Sequence, residues 1–237
     1  MKRSLEQFRC DDDATLPPSK RQLKPKPEFK DLAPSLGDNL KVIFVGFNPG
    51  HQSSITQHHY AHFTNRFWKL FNQADILHTC CDDVPDKFFP TKPEHDYDLV
   101  PFGVGFTDLV LRCTRRADEL SEEEKIANIE RLFREFRESD VAHVAFIGKG
   151  IWEVVVRYVC AKQPHLKYRQ VMADFEWGVQ RGQVAEYVVA QCHPTMKMHV
   201  FPSTSGLVTA LSNDERLKLW QRLAEAIKQS GPKLPVT

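Results

Sequence analysis

The run Leu40–Val45, LKVIFV, constrains this chain more than any other segment. Aliphatic and aromatic residues follow one another with little polar alternation. That is the pattern of a strand buried on both faces, as in a parallel sheet covered by helices. The run stops at Gly46, and Gly46-Phe47-Asn48-Pro49-Gly50 reads as a tight turn at the strand's carboxyl end. Downstream segments alternate in kind. Asn65–Leu77 puts Phe67, Leu70, Phe71 and Ala74 on one helical stripe. Phe102–Val110, aromatic and β-branched with two glycines, reads as an irregular strand or loop. Ser121 and Glu124 form a capping box opening a helix that carries Ile126, Ile129, Phe133 and Phe136 at spacings of three and four. His143–Ile147 is the next strand, and Gly148-Lys149-Gly150 turns into a helix running through Tyr158. Tyr187–Gln191 reads as a further strand, and a helix from about Asn213 to Gln229 closes the chain. Strands alternating with helices predict an α/β fold: one three-layer domain around a mostly parallel central sheet, with its site at the strands' carboxyl ends.

A length of 237 residues suits one such domain. Hydrophobic residues at 41%, including 16 Phe, supply its core and exclude wholesale disorder. No apolar run approaches the ~18 residues of a membrane span, and the opening MKRSLEQFRCDDD lacks the apolar segment of a secretory leader. Neither a membrane association nor a leader is expected. The six cysteines form no CxxC pair, and Cys192-His193 and His199 lack a partner cluster, so reduced thiols and no metal are expected. Gly103-Val104-Gly105 lacks the third glycine of a dinucleotide fingerprint, and Gly148-Lys149-Gly150 lacks the rest of a phosphate-binding loop; no cofactor is expected. Composition divides the chain into a basic N-terminal tail, 1–37, expected to be disordered; a domain, 38–231; and a short C-terminal tail, 232–237. The net charge of +1 hides a split: residues 1–30 carry eight basic and five acidic side chains, Lys20, Arg21, Lys24, Lys26 and Lys30 among them. The stretch reads as a linker, a nuclear address or a DNA-tethering arm.

Chemistry concentrates at the first turn. Pro49 keeps Asn48 out of the helical region, which aims an amide side chain at the strand's end. An amide orients a water but cannot take its proton, having no useful pKa. VGFNPG is followed by HHY (His58–Tyr60), NRFWK (Asn65–Lys69), FGVGFTDLV (Phe102–Val110), Thr114, GKGIWE (Gly148–Glu153), FEWGVQ (Phe175–Gln180) and FPSTSGL (Phe201–Leu207). This ordered series resembles the mismatch-specific uracil/thymine-DNA glycosylase family from about Leu40 to Leu207. The resemblance implies a uracil-DNA-glycosylase-like fold and a monofunctional, metal-free enzyme of base excision repair. Such an enzyme hydrolyses the bond between deoxyribose and uracil or thymine opposite guanine in double-stranded DNA, leaving an abasic site. A monomer in the nucleus, with duplex DNA as its partner, is the corresponding expectation.

By motif match, Asn48 is the catalytic asparagine that positions water, and Thr114 lies near that water. Gly46, Phe47, His59, Tyr60, Asn65 and Asp108 match the base pocket. Tyr60 stacks on the flipped base, and backbone N–H groups near Phe47 and Tyr60 stabilise charge on its O2. Gly148 and Lys149 match a phosphate-holding turn. Ser203, Thr204, Ser205 and Gly206 match donors to backbone phosphates, and Leu207 the wedge that fills the gap left by a flipped base. His193-Pro194-Thr195 is an alternative intruding segment, with Pro202–Leu207 the better match. Two departures stand out. Asp108 replaces an amide or lysine, and an ionised carboxylate there would disfavour uracil's carbonyls or favour an exocyclic amine. Ala61-His62-Phe63 replaces a glycine- and proline-rich stretch. These departures motivate a competing reading as a non-catalytic mismatch- or lesion-binding module; a third reading is a hydrolase of free nucleosides or nucleotides using the same α/β cleft.

Overall fold

The computed structural model describes residues 29–205 and 211–231. Five strands form the sheet: β1 (Val42–Gly46), β2 (Val104–Asp108), β3 (His143–Ile147), β4 (Gly178–Val179) and β5 (Lys197–Phe201), in the order β2-β1-β3-β5-β4. All pairings are parallel except that of the short edge strand β4 with β5. The single-sequence reading of Phe102–Val110 as irregular is corrected. Val104–Asp108 pairs residue for residue with Val42–Gly46, the two glycines letting neighbouring chain lie close. A Cβ on Gly105 would meet Leu40 Cδ1 at 2.5 Å.

Alternation along β1 explains the layers. Val42 and Phe44 point to one face, Ile43 and Val45 to the other, because successive strand side chains alternate. On the first face lie α2 (Phe67–Gln73), α3 (Ile76–Cys80) and α9 (Asn213–Gln229). Their Phe67, Phe71, Ile76, Trp220 and Leu223 close over Phe44, Phe106 and Phe201. On the second face lie α4 (Glu122–Ala127), α5 (Ile129–Glu138), α6 (Lys149–Lys162) and α8 (Gln183–Gln191), bringing Leu132, Phe136, Ile151, Val155 and Val188 against Ile43, Val144 and Phe146. The short helices α1 (His51–Thr56) and α7 (Tyr168–Ala173) complete the set.

Three further expectations are corrected. Tyr187–Gln191 is the last part of helix α8, not a strand. Its β-branched run lies on a helix because Val184 and Val188, one turn apart, are buried together with Ala185. The Asn65–Leu77 stripe is two helices, broken where Asp75 takes a left-handed φ of 53°. The helix opened by Ser121 breaks again at Asn128. The expected tail boundary at residue 37 also moves. Ser35 pairs with Phe106 through two 2.8 Å backbone bonds, Leu32 is 1% exposed, and the Lys30 backbone exchanges two 2.8 Å bonds with Ser54 Oγ. Residues 29–37 therefore form a strap along the edge strand β2, covering part of its unpaired rim. Residues 1–28 and the C-terminal 232–237 lie outside the described residues.

Candidate active site

Sheet order places the site. The chain runs from β1 to β2 on one side and then returns past β1 to β3 on the other. Ligands in such sheets bind at this reversal, beyond the strands' carboxyl ends. A cleft of about 670 Å³ opens there. It is lined by the Gly46–Gly50 turn after β1, Asp108 at the end of β2, Ile147 at the end of β3, and Ser203–Ser205 after β5. His59, Tyr60, His62, Thr64, Asn65 and Arg115 complete its walls.

Asn48 is fixed by its nitrogen. Nδ2 donates to Thr114 Oγ1 at 2.7 Å, to Arg112 O at 3.2 Å and to Pro49 O at 3.4 Å. The Thr114 hydroxyl donates onward to Arg116 O at 2.8 Å, which forces its lone pairs toward Asn48. With the NH2 group committed, Oδ1 is the amide atom left for the cleft. Thr114 is not among the cleft-lining residues; it contacts the Asn48 amide.

Asp108 is buried and stands in register opposite Gly46. A Cβ on Gly46 would lie 2.1 Å from Asp108 Oδ1 and 3.3 Å from the Tyr60 hydroxyl, so only glycine admits this carboxyl and phenol together. Burial pushes the Asp108 carboxyl up to about 6; His59 and the Arg131 guanidinium pull it back only in part, and Glu135 adds to the rise. Arg131 donates not to the carboxyl but to the backbone, at 2.6 Å to Asp108 O and 2.8 Å to Leu109 O. The Tyr60 hydroxyl has no hydrogen-bond partner, and burial, then Asp108, push it well above its ordinary value, so it stays a neutral donor. The Tyr60 ring lies flat on Phe67 at 3.9 Å, which backs one face and leaves the other for the cleft.

His59 is held by a residue that sequence reasoning missed. Asp96, fully buried, accepts from the His59 backbone N–H at 2.8 Å and meets His59 Nδ1 at 2.7 Å and His58 Nδ1 at 2.8 Å. Burial alone would raise this carboxyl, but the bonds from His59 and His58 outweigh it and hold it below the usual range. His59 Nε2 is buried with no hydrogen-bond partner, and His59 is among the residues lining the cleft. Asp96 is 37 residues from His59, and no local pattern links them.

The remaining expected residues divide. Asn65 lines the cleft while its Oδ1 accepts from Phe67 N at 3.0 Å at the start of α2. Phe47 lines it too. Gly148 and Lys149 do not; they begin α6 beside it, where a Cβ on Gly150 would touch Phe47 at 3.4 Å. Lys149 sits 4.7 Å over the Phe175 ring and 3.8 Å from Glu153. Ser203 and Ser205 reach the surface, but Thr204 is 2% exposed and its carbonyl accepts from Arg66 N at 2.9 Å. Thr204 lines the cleft together with Ser203 and Ser205. Gly206 and Leu207 lie outside the described residues. His193-Pro194-Thr195 precedes β5, at the far end of the sheet, where His193 pairs with Asp140 at 3.1 Å. Among the described residues no group of three His, Cys, Asp or Glu side chains could hold a metal, and no helix is long and apolar enough to cross a membrane.

Fold and cleft together define a doubly wound α/β protein whose site is an amide-bearing turn at the carboxyl end of β1. The family model described as the uracil DNA glycosylase superfamily matches residues 34–224, and the chain belongs to that superfamily. A curated relative, the G/U mismatch-specific uracil DNA glycosylase of Schizosaccharomyces pombe (strain 972 / ATCC 24843), is 26% identical over 193 residues. The match covers 81% of this chain and 52% of the relative, so the chain spans about half the length of that relative. A solution structure of a candidate uracil DNA glycosylase from Methanosarcina acetivorans matches 84% of this chain and 98% of its own, at 18% identity and a TM-score of 0.45.

Proposed function

We propose that this protein is a monofunctional DNA glycosylase of base excision repair. It flips uracil or thymine, and related damaged bases, out of mismatches with guanine in duplex DNA and releases them by hydrolysis. The observation that carries the reading is the commitment of all of Asn48's amide N–H capacity to Thr114, Arg112 and Pro49, which leaves Oδ1 to hold a water in the cleft. Because Asn48 cannot take a proton from the water, the bond from C1′ to the base breaks ahead of attack, through an oxocarbenium-like state. The water oxygen then bonds to C1′ and its proton is lost to solvent. The electron pair leaves on the base, which departs as an anion and needs donors near its O2. Tyr60, backed by Phe67, is the stacking platform.

Asp108 refines the substrate. With its carboxyl raised to about 6, an appreciable fraction is neutral in mildly acid solution. A neutral carboxylic acid offers O–H to uracil O4 and C=O to uracil N3–H, the pair an amide would offer. Ionised, it only accepts. The protein works as a monomer in the nucleus in this reading, with the basic N-terminal segment as its address or tether.

The test is base release across uracil, thymine, ethenocytosine, hypoxanthine and xanthine, each opposite guanine and adenine, with native protein beside Asp108→Asn. Release of uracil opposite guanine, with Asp108→Asn gaining most at alkaline pH, is the expected result. Tight binding of the G·U duplex without release would favour a binding module instead. Equal turnover of free deoxyuridine would favour a nucleoside hydrolase.

A further inference from the structure

Phe63 is 91% exposed, the most exposed of the large apolar side chains among the described residues. A single exposed aromatic is ordinary on a protein surface. Its position is not. Its chain neighbours His62 and Thr64 both line the cleft, so Phe63 stands at the mouth. The loop that presents it is closed by its own hydrogen bonds. Asn65 N donates to His62 O at 2.8 Å, Thr64 N donates to His62 Nδ1 at 3.2 Å, and Thr64 Oγ1 meets the same nitrogen at 2.8 Å. The Phe63 ring stacks on His62 at 4.7 Å, and Arg66 N, at the loop's foot, donates to Thr204 O. The loop is thereby fastened to the Ser203–Ser205 segment. The Arg115 cation lines the same cleft, and Arg66 pairs with Asn213 close by.

An outward aromatic among hydrogen-bonding and cationic groups matches the surface of a base stack with its flanking phosphates better than an apolar protein face. Eversion of a nucleotide opens a gap in that stack, and apolar wedges fill such gaps. We propose that Phe63 inserts into the duplex beside the everted nucleotide, an aromatic wedge carried by the 61–64 loop. The inference rests on the glycosylase reading of the cleft.

The test compares native protein, Phe63→Ala and Phe63→Trp on a G·U duplex carrying 2-aminopurine next to the uracil, and on single-stranded uracil DNA. Two signals are read: 2-aminopurine fluorescence on binding, and single-turnover base release. Phe63→Ala is expected to remove most of the fluorescence rise and to slow duplex release about tenfold, while single-stranded release changes less than twofold. Phe63→Trp restores both. Thermal midpoints unchanged in Phe63→Ala certify the fold. Unchanged duplex release and fluorescence in Phe63→Ala would overturn the wedge, as would equal losses on duplex and single strand. If native protein releases no base from either substrate, the glycosylase reading fails. Fluorescence still decides the wedge in that case: a rise that depends on Phe63 upholds it, and none overturns it.

Discussion

Asn48 and Thr114 lie 66 positions apart yet meet at 2.7 Å, and the direction of that bond determines what the amide can do. Thr114→Val keeps the shape but removes both the acceptor for Asn48 and the link to Arg116 O. Loss of such a positioning contact is expected to lower kcat roughly 10- to 100-fold with KM nearly unchanged, and Thr114→Ser to recover most of it. Asp108 makes a stability prediction as well as a kinetic one. Its carboxyl is raised from the unfolded value to about 6, so the unfolded chain ionises first. Stability from this group is full at low pH and is lost as pH rises toward and through 6. Asp108→Asn should therefore stabilise the protein at pH 7.5 by roughly 1–3 kcal/mol and by almost nothing at pH 4, as read from urea midpoints. In single-turnover assays, the ratio of uracil release by Asp108→Asn to that by native protein should grow as pH rises through 6. A flat ratio would remove Asp108 from base reading.

At the scale of elements, the strap and a buried histidine pair each have a measurable share in the fold. Leu32 is the buried residue of the strap, so Leu32→Ala should cost about 2–3 kcal/mol, measured by denaturant unfolding. His143 and His199, on β3 and β5, share a 3.0 Å contact, and His143 Nε2 meets Ser230 Oγ at 2.7 Å. Burial, with Lys197 and each other or Lys41 close by, lowers both, so they stay neutral in the fold. Their contribution is full above about 6.5 and is lost as pH falls through the lowered folded values. His199→Met should flatten the stability–pH slope below 6.5 by up to one proton, a difference readable despite the opposite trend from Asp108.

The pattern of legibility follows the same physics. Strands β1 and β3 are legible because both faces are buried, and α9 because Ser212 and Glu215 cap it reciprocally. Strand β5 reads poorly because Lys197 and His199 interrupt its apolar run, and His199 is tolerated there only through a partner on another strand. The Asn48 turn was legible through local geometry and motif order. Asp96 and the strap were not, since a buried carboxylate and an edge-covering segment are defined by distant partners.

For the whole molecule, the +1 net charge conceals a basic segment followed by a faintly acidic body, and the fold shows where to divide them. The strap makes residue 28, not 37, the proper end of a truncation. Removing residues 1–28 should leave the unfolding midpoint unchanged, weaken duplex binding several-fold at low salt, and reduce the salt slope, with single-turnover release at saturation unaffected. Unaltered affinity and slope would make the segment an address or a linker only. The cleft joins the carboxyl ends of four parallel strands, with Asn48, Tyr60 and Asp108 facing one space of about 670 Å³. Its central claim is tested most directly by alkali-revealed strand cleavage of a duplex with one G·U pair, native protein against Asn48→Ala. Cleavage at the uracil by native protein, reduced on the order of 10³-fold or more in Asn48→Ala while duplex binding persists, is the predicted result. No cleavage by native protein, or equal cleavage by both, would contradict it.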